Sequence, residues 1–378
     1  MSSTTTIELC TDNTADHLHS TINKVIGSGA KSLLILACDA DNWLPEQVDA
    51  MLQSLSIPVI GGGFPSLIYQ GQHLEQGTLV VGLDETFNVT IISNLSQNNA
   101  DLEEKIRSHG EGIVGADNLI LIVDALAGNI ERFVEGLYSV TGVGCNTVGA
   151  GAGSLDFIQK PCLFTNTGLI QDAAIVAAYP KKLHSGINHG WEILDGPYLV
   201  TNSCGNILET LNYTPAFEVY RSRVEKASGL GFENNDFFSI AKTYPLGIEN
   251  LGGDIVVRDP VRLEGYGLVC LGEVPENAMV YILKGQADDL IASAGNAAKI
   301  ARDSYTASGA EPVPSAMIFD CFSRGLFLGE NFACELESIE KQLGRHNIAF
   351  GALTLGEIIN TQSGPIGLLN KSTVIAVF

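Results

Sequence analysis

The chain has 378 residues, of which 45% are hydrophobic and 17% charged, so it can bury a real core and is long enough for two domains. Its formal net charge of −22 argues against nucleic-acid phosphates and anionic membrane surfaces as partners. The amino terminus lacks the basic and apolar regions of a signal peptide, and no apolar run reaches the roughly 18 residues needed to span a bilayer. Eight scattered cysteines without Cys-x-x-Cys pairs are typical of reduced thiols in the cytoplasm.

The first third of the chain predicts alternating helices and strands. Residues 1–30 are predicted to form a polar segment and then a helix, since apolar residues recur at helical spacing after Ala15. A continuous apolar run at 32–38 predicts a buried strand, and Pro45 begins a helix. Further strands are predicted at 58–63, 67–69, 79–83 and 87–93.

The same order of elements recurs twice along the chain. The second occurrence is a strand, a helix, a strand and a hairpin, predicted at 119–124, 129–139, 141–146, and 162–164 with 173–178. The third occurrence is predicted at 315–320, 330–343, 348–351, and 368–369 with 374–378. The glycines that align the three occurrences are Gly61, Gly144 and Gly351. The sequence therefore predicts an α/β fold of mixed α+β type, with a strand–helix–strand–hairpin unit repeated three times and mixed sheets covered by helices.

The strand ends of this repeat predict where a ligand binds. Asp39, Asp124 and Asp320 stand at the ends of the first strands, and these ends and the glycine turns should face the same rim in each unit. Short loops at strand ends are where ligands tend to bind.

A stretch at 184–220 joins the two halves of the chain. It predicts strands at 198–201 and 206–211, followed by a helix that begins at Pro215. A boundary at this helix divides the chain into two domains, 31–214 and 215–378. No low-complexity linker marks the boundary, so the two domains are expected to pack tightly against each other.

Short motifs along the chain resemble the FIST family, whose name stands for F-box and intracellular signal transduction. The first half carries His189-Gly190-Trp191, Gly205-Asn206 and Pro215-Ala216-x-x-x-Tyr220, in the order found at the end of a first FIST domain. The second half carries Tyr244-Pro245-Leu246-Gly247, Val257-Arg258, Gly272-Glu273-Val274-Pro275, Asp320-Cys321-x-x-Arg324, Gly356-Glu357 and Asn370-x-x-Thr373. The resemblance implies a cytoplasmic, non-enzymatic sensor of small ligands that is coupled to a signalling output.

The resemblance also implies a partner and a cofactor. Stand-alone FIST proteins resemble the nitric-oxide-sensing haemoproteins called NosP, which act on a partner histidine kinase in two-component signalling. If this chain binds haem b, His189 is the first choice as axial ligand of the haem iron, and His184 is the second. The alternative is that each is a hydrogen-bonded loop histidine, and no further ligands at zinc spacing accompany them. A homodimer is compatible with the sequence.

Arg324 and Glu357 are the first candidates for a ligand site without haem. The planar guanidinium of Arg324 suits a carboxylate, and by resemblance an arginine recurs at this position in FIST proteins. Glu357 would receive a ligand amine, so the pair fits an amino acid or another small carboxylate. The alternative is a structural salt bridge of Arg324 with Asp320 or Glu357.

Three further residues complete the predicted ligand site. Cys321 lies near Arg324 in sequence, where a cation would lower its pKa and favour a nucleophilic thiolate; alternatively it is a buried packing residue. Asn146 and Asn202 are included as ligand-binding residues at the end of a predicted strand and in the central stretch. The sequence shows no nucleophile elbow, metalloprotease motif or P-loop, so catalysis is not expected.

Overall fold

The structure is a computed structural model that describes residues 5–97, 101–110, 112–250, 253–309, 313, 315–344, 348–360 and 364–378. Residues 1–4 of the predicted polar segment lie outside this part. The helices are α1 (Ala15–Gly27), α2 (Pro45–Ser54), α3 (Leu102–His109), α4 (Ile130–Thr141), α5 (Ala216–Ser228), α6 (Phe237–Ala241), α7 (Ala287–Thr306), α8 (Phe322–Leu328) and α9 (Phe332–Leu343). Within the described ranges, none of these helices has the length and apolar character that a membrane crossing requires.

The described residues also form strands β1 to β25, numbered in chain order. The first are β1 (Thr6–Cys10), β2 (Ser32–Cys38), β3 (Val59–Phe64), β4 (Ser66–Tyr69), β5 (Gln72–Leu74), β6 (Thr78–Leu83), β7 (Asn88–Ser93), β8 (Asn118–Asp124), β9 (Asn146–Ala152), β10 (Leu163–Thr165), β11 (Gly168–Ile170) and β12 (Ala173–Ala178). The others are β13 (His184–Asn188), β14 (Glu192–Cys204), β15 (Ile207–Leu211), β16 (Thr214–Pro215), β17 (Leu246–Glu249), β18 (Ile255–Glu264), β19 (Gly267–Leu271), β20 (Met279–Lys284), β21 (Ser315–Cys321), β22 (Ile348–Thr354), β23 (Glu357–Asn360), β24 (Ile366–Leu369) and β25 (Thr373–Val377).

Three six-stranded sheets are built in the same way. In each, a first strand pairs in parallel with a second strand and antiparallel with a closing strand. These three strands are β2, β3 and β6 in unit one, β8, β9 and β12 in unit two, and β21, β22 and β25 in unit three. An edge strand, β1, β7 or β13, pairs with the closing strand. The predicted threefold repeat in mixed sheets is confirmed.

The hairpin of each unit crosses into the sheet of another unit. The β10–β11 hairpin of unit two joins β3 of unit one, β23–β24 of unit three joins β9 of unit two, and β4–β5 of unit one joins β22 of unit three. Each exchanged hairpin covers the outer edge of a second strand, which would otherwise present unpaired backbone groups. The three units therefore cannot separate without breaking backbone hydrogen bonds.

Two predicted hairpins pair differently in the structure. The closing strands β12 and β25 pair with the first strands β8 and β21, and the hairpins are formed by β10 with β11 and by β23 with β24. The alternation of apolar residues in a strand specifies which face is buried, but it does not specify the neighbouring strand. The two predicted pairings, 162–164 with 173–178 and 368–369 with 374–378, are wrong for this reason.

Each second strand carries a glycine opposite the middle of the first strand. The three pairs are Gly61 with Ile35, Gly149 with Leu121, and Gly351 with Ile318. A Cβ at any of these glycines would collide with the backbone carbonyl group of the opposite residue. The alignment of Gly144 with the other two is therefore wrong, because β9 begins at Asn146 rather than near residue 141.

The inner faces of the three sheets share one apolar core. Leu36, Ile122 and Phe319 occupy equivalent positions on the first strands, and all three are fully buried in this core. The outer faces are covered by helix pairs, α1 with α2, α3 with α4, and α7 with α9. Burial of one such side chain contributes roughly 1.5–3 kcal/mol. The shared core therefore holds the three units together.

The strands β14 to β20, between β13 and α7, form a closed barrel. Its strands follow the order β14-β20-β17-β18-β19-β15, and β15 pairs back with β14. The predicted helix at Pro215 is present as α5, whose Tyr220 donates a hydrogen bond to the carbonyl oxygen of Tyr244 at 2.7 Å inside the barrel. Position 215 itself lies in the barrel, where Pro215 pairs with Thr210. The division of the chain into domains at residue 215 stays a prediction.

Candidate functional site

A cleft of about 360 Å³ lies at the carboxyl ends of β8 and β9. Its first wall is the connection from β8 into α4, at residues 125–131. The second wall consists of two turns of the barrel, and the third belongs to unit three; they are formed by 205–206 with 270–273, and by Leu355, Leu368 and Asn370. Ligands of open sheets commonly bind outside the carboxyl ends of parallel strands. Three parts of the molecule meet at this position.

Asp124, which was predicted to lie at the rim, fixes the first wall. Its Oδ1 accepts a hydrogen bond from the backbone N–H of Leu126 at 3.0 Å. Its Oδ2 accepts from the backbone N–H of Asp172 at 2.7 Å and from Gln159 Nε2 at 2.9 Å. Asn129 then adopts a left-handed conformation with φ of 58° directly before α4, which asparagine tolerates better than most residues. The end of the strand and the start of the helix are held in one arrangement beside the cleft.

Glu131 and Glu273 bring two carboxylates to the cleft. Glu131 lies in the first turn of α4, and its Oε1 accepts a hydrogen bond from the backbone N–H of Glu273 at 2.9 Å. Burial raises the pKa of Glu273, and the negative charges of Glu131 and Glu135 raise it further. Among the described residues that line the cleft there is no lysine or arginine. The polar part of the lining is therefore negative and rich in hydrogen-bond acceptors.

Gly272 lets the barrel approach Glu131 closely. Its φ is 89°, a left-handed conformation that side chains disfavour. A Cβ at this position would lie 2.8 Å from Glu131 Oε1 and 2.9 Å from Arg258 Nε. The space for a side chain is therefore already filled on both sides.

Arg258 ties the barrel to unit three behind the cleft. It is 7% exposed, and it donates from Nε to the carbonyl oxygen of Glu273 and from Nη1 to that of Leu368, both at 3.0 Å. Desolvation lowers the pKa of Arg258, whereas the charge of Glu131 raises it. The second and third walls of the cleft are connected through this side chain.

Asn370 supplies a buried acceptor that no described residue uses. It lines the cleft and is 2% exposed, and its Oδ1 has no hydrogen-bond partner among the described residues. Leaving a buried polar group without a partner costs roughly 1–3 kcal/mol. A donor from outside the chain would remove this cost.

Sequence reasoning assigned no site role to these lining residues. Arg258, Glu273 and Asn370 stand in motifs that carry the FIST resemblance, and this was the available signal. For Glu131 the sequence carries no such signal, because an acidic residue in the first turn of a helix is common. Only the fold shows that Glu131, Glu273 and Asn370 line one cleft and that Arg258 lies behind it.

Arg324 lies elsewhere, fully buried in an ion cluster at the carboxyl end of β21. Its Nε and Nη2 donate to the carboxylate of Glu335, with the shortest distance 2.7 Å, and its Nε lies 3.7 Å from Asp320 Oδ1. Further acceptors are the carbonyl oxygens of His189, Leu290 and Lys371, and Ser293 Oγ. All five N–H groups of the guanidinium point to acceptors of the protein itself. A ligand role for Arg324 stays a prediction.

Glu357 and Cys321 lie beside this cluster and are also buried. Thr354 Oγ1 donates to Glu357 Oε1 at 2.7 Å, and the backbone N–H of Ser372 donates to Oε2 at 3.3 Å. Burial raises the pKa of Glu357 to about 8. Burial also raises the pKa of the Cys321 thiol, which disfavours the thiolate. The structure therefore brings Arg324, Cys321 and Glu357 together, but in the protein interior, and none of them lines the cleft.

A second buried ion pair joins the barrel to unit three. Lys371 Nζ lies 3.3 Å from Asp259 Oδ1 of β18, and it donates to the carbonyl oxygen of Lys242 at 2.8 Å. The same ammonium lies 5.1 Å from the ring centroid of Trp191. Ser323 Oγ donates to Asp259 Oδ2. These contacts anchor the barrel to unit three.

The two predicted asparagines are not brought to either cluster. Asn146 begins β9, and its Nδ2 donates to the carbonyl oxygen of Leu183 at 2.6 Å, so it lies at the amino end of the strand whose carboxyl end reaches the cleft. Asn202 is exposed on β14 of the barrel, where it pairs with Thr210. Binding of a ligand by these two residues stays a prediction.

His189 and His184 do not fit a haem in this structure. The Nδ1 of His189 accepts a hydrogen bond from the backbone N–H of Trp191 at 3.0 Å, which places the ring proton on Nε2. A histidine that binds metal usually donates from its second nitrogen instead. The cavity beside His189 is about 130 Å³, below the roughly 300–1,000 Å³ of sites for drug-sized ligands. His184 is 4% exposed, and its Nδ1 is bonded to Ser304 Oγ at 2.9 Å. Haem binding through either histidine stays a prediction.

The rims of the other two units are closed. In unit one, Asp39 accepts from Lys160 Nζ at 2.8 Å and from Ser154 Oγ at 2.6 Å, and only about 30 Å³ remains open. In unit three, Asp320 is buried beside Arg324. Among the described residues, no group of three or more His, Cys, Asp and Glu side chains could hold a metal ion. Of the three equivalent strand ends, the one in unit two carries the cleft.

Two family models match the chain, the FIST N domain over residues 32–214 and the FIST C domain over residues 216–360. The chain belongs to the FIST family. FIST domains are sensor domains of signal transduction that bind small ligands. A comparison with curated proteins finds no match. The FIST N match contains the first wall of the cleft, and the FIST C match contains residues 270–273 and Leu355.

Proposed function

We infer that this FIST protein is a sensor whose small ligand binds in the cleft at the carboxyl end of β8. The observation that carries this inference is that the cleft is lined by segments of both FIST matches and contains the unused buried acceptor of Asn370. The volume of about 360 Å³ is in the range of small-molecule sites. The ligand supplies the hydrogen-bond donor to Asn370 Oδ1 that the described residues do not provide.

The position of the cleft explains how binding can be transmitted. A ligand there contacts unit two, two turns of the barrel and unit three at the same time. If the barrel has two positions relative to the sheets, a ligand that contacts both favours the position in which the walls are closer. The links through Arg258 and Lys371 are the contacts that such a movement changes. Binding in the cleft thereby alters the surface of the barrel.

The output of this sensor is contact with a signalling partner in the cytoplasm, for which the FIST resemblance suggests a histidine kinase. The protein itself acts without catalysis. This is supported by Cys321, the predicted nucleophile, which is 3% exposed and has a raised thiol pKa. If Cys321 reacts with a thiol reagent at neutral pH as fast as a free thiol, the non-catalytic role of this residue is refuted.

A thermal-shift screen of small metabolites tests the cleft as the ligand site. Ala127 lines the first wall and is only half-buried, so Ala127→Phe fills the cleft without changing charge. A metabolite of the cleft, added at ten times its Kd, should raise the Tm of the natural protein by about 2 °C and leave the Tm of the variant unchanged. Equal shifts in the two proteins would refute the site. Gly144→Phe, at an exposed position outside the cleft, is the control.

The haem-based hypothesis is tested separately, by titration of the purified protein with hemin. A saturable Soret band that moves with nitric oxide and disappears in His189→Ala would establish haem sensing, with His189 as the iron ligand. A band that persists in both His189→Ala and His184→Ala would exclude these two residues as ligands. The amino-acid alternative predicts that Arg324→Lys loses the thermal shift given by the amino acid.

A further inference from the structure

We propose that the ligand of the cleft carries a protonated amine, which binds between Glu131 and Glu273 and donates a hydrogen bond to Asn370 Oδ1. This rests on the proposed function, because it names the chemical class of the ligand of the same site. The proposal follows from three independent features of the lining: its charge, its unused acceptor and its apolar part.

The charge of the site is negative and is not neutralised from within the cleft. Glu131 lies in the first turn of α4, and its Oε1 accepts the hydrogen bond from the backbone N–H of Glu273, so the two side chains stand at the same place in the cleft. Burial raises the pKa of Glu273, and the nearby negative charge of Glu131 raises it further. The charges of Arg258 and Arg132 act in the opposite direction on the pKa of Glu273, but neither arginine lines the cleft, and Arg258 donates to the carbonyl oxygens of Glu273 and Leu368. A cation in the cleft relieves this repulsion.

The acceptor of Asn370 selects for a cation with N–H groups. Its Oδ1 is buried and accepts no hydrogen bond from the described residues. A primary ammonium has three N–H donors, enough for two carboxylates and one amide oxygen. A quaternary ammonium has the same charge but no donor, and it leaves the cost of the unpaired oxygen in place. Hydrogen bonding therefore discriminates between two cations of equal charge.

The lining also has an apolar part, which accommodates a short carbon chain. This part includes Val123, Ala125, Ile130, Leu271, Leu355 and Leu368. Contact with these side chains favours a ligand whose ammonium is attached to a small hydrocarbon body, at about 25 cal/mol for each Å² of apolar surface that is buried. The cleft therefore suits a small alkyl amine.

The test uses three four-carbon probes of matched shape: butylammonium, butyltrimethylammonium and butyrate. Binding is measured by calorimetry and thermal shift at constant ionic strength, because the chain carries a net charge of −22 and attracts cations non-specifically. We expect butylammonium to bind and the other two probes to bind at least about tenfold more weakly. Glu131→Gln should weaken the binding of butylammonium by about tenfold. Glu46→Gln, which removes an equal charge from the exposed face of α2, should have no effect.

Each other result overturns the proposal. Equal binding of butyltrimethylammonium would show that charge alone is recognised, and an equal loss in Glu46→Gln would show non-specific attraction to an acidic surface. Binding of butyrate that Ala127→Phe abolishes would keep the cleft as the ligand site and refute the amine. If no probe binds, the amine is refuted, and the metabolite screen with Ala127→Phe decides separately whether the cleft is a ligand site.

Discussion

At the scale of single residues, the protein has two sets of charged side chains. One set forms buried ion pairs that stabilise the fold, and the other lines the cleft. Arg324 was expected to bind a ligand, and its position at the end of an apolar strand was correctly recognised. In the structure its guanidinium is 0% exposed and saturated by Glu335, which lies eleven positions further along the chain. No sequence pattern indicates that partner, because the two residues belong to different helices.

Replacing Arg324 with methionine should be strongly destabilising. The substitution leaves the carboxylates of Glu335 and Asp320 buried without a cation, which costs about 3–5 kcal/mol. The measurement is the free energy of unfolding in urea. Arg262→Met removes an exposed arginine that pairs with Glu264 on the barrel and should cost less than about 1 kcal/mol. Similar losses for the two variants would contradict the structural role of Arg324.

Glu357 should make stability fall as the pH rises. Its pKa is raised by burial from 4.5 to about 8, so between these values the folded protein holds a proton that the unfolded chain releases. The stability that this group contributes is fully present below about pH 4.5 and is lost as the pH rises to about 8, by on the order of 5 kcal/mol. Glu357→Gln removes this dependence.

The difference in free energy of unfolding between the natural protein and Glu357→Gln should therefore shift in favour of the variant as the pH rises from about 5 to about 8. The same comparison with Glu46→Gln is the control, because Glu46 is exposed. A difference that is constant with pH would show that Glu357 titrates as it does in an unfolded chain.

At the scale of elements, the central glycine of each second strand decides how closely two parallel strands approach. The sequence pattern aligned Gly144, in a strand predicted at 141–146, with Gly61 and Gly351. The structure places it at Gly149, inside β9, where the carbonyl group of Leu121 occupies the position of a Cβ. A glycine in a strand usually marks such a close backbone approach.

The two glycines give a matched pair of variants. Gly149→Ala should destabilise the protein by about 3 kcal/mol or more, because the methyl group collides with backbone that cannot move away. Gly144→Ala has nothing within 4 Å of the added Cβ and should change stability by less than about 0.5 kcal/mol. Urea denaturation measures both. A larger loss for Gly144→Ala than for Gly149→Ala would support the alignment that the structure rejects.

At the scale of the whole molecule, the exchange of hairpins joins three similar units into one. Each sheet contains strands from two units, and all three sheets contribute to one core. Unfolding of one unit would remove a hairpin from the sheet of another. We therefore expect a single cooperative transition rather than three successive ones.

The two tryptophans test this cooperativity. Trp43 is buried in unit one, and Trp191 is buried between the barrel and unit three. In the single-tryptophan variants Trp191→Phe and Trp43→Phe, fluorescence should report one transition that coincides with the loss of circular dichroism in the same variant. A fluorescence transition that occurs clearly apart from it, in either variant, would show that one unit unfolds independently.

The sequence by itself determined the elements and their repetition. Apolar runs such as 32–38 and helical spacing after Ala15 depend on neighbours close in the chain, and these local patterns sufficed to predict the strand, the helix and the threefold repeat. The motifs between residues 189 and 373 likewise sufficed to recognise the family, which the two FIST matches establish.

Only the tertiary structure decided which strands pair and where the cleft lies. A strand pattern does not identify its neighbour, so the exchange of β4–β5, β10–β11 and β23–β24 was not predictable. The cleft depends on that exchange and on the barrel, because Glu131, Glu273 and Asn370 are far apart in sequence. Contacts between distant segments are set by packing of the whole chain, and the residues of this site meet for that reason alone.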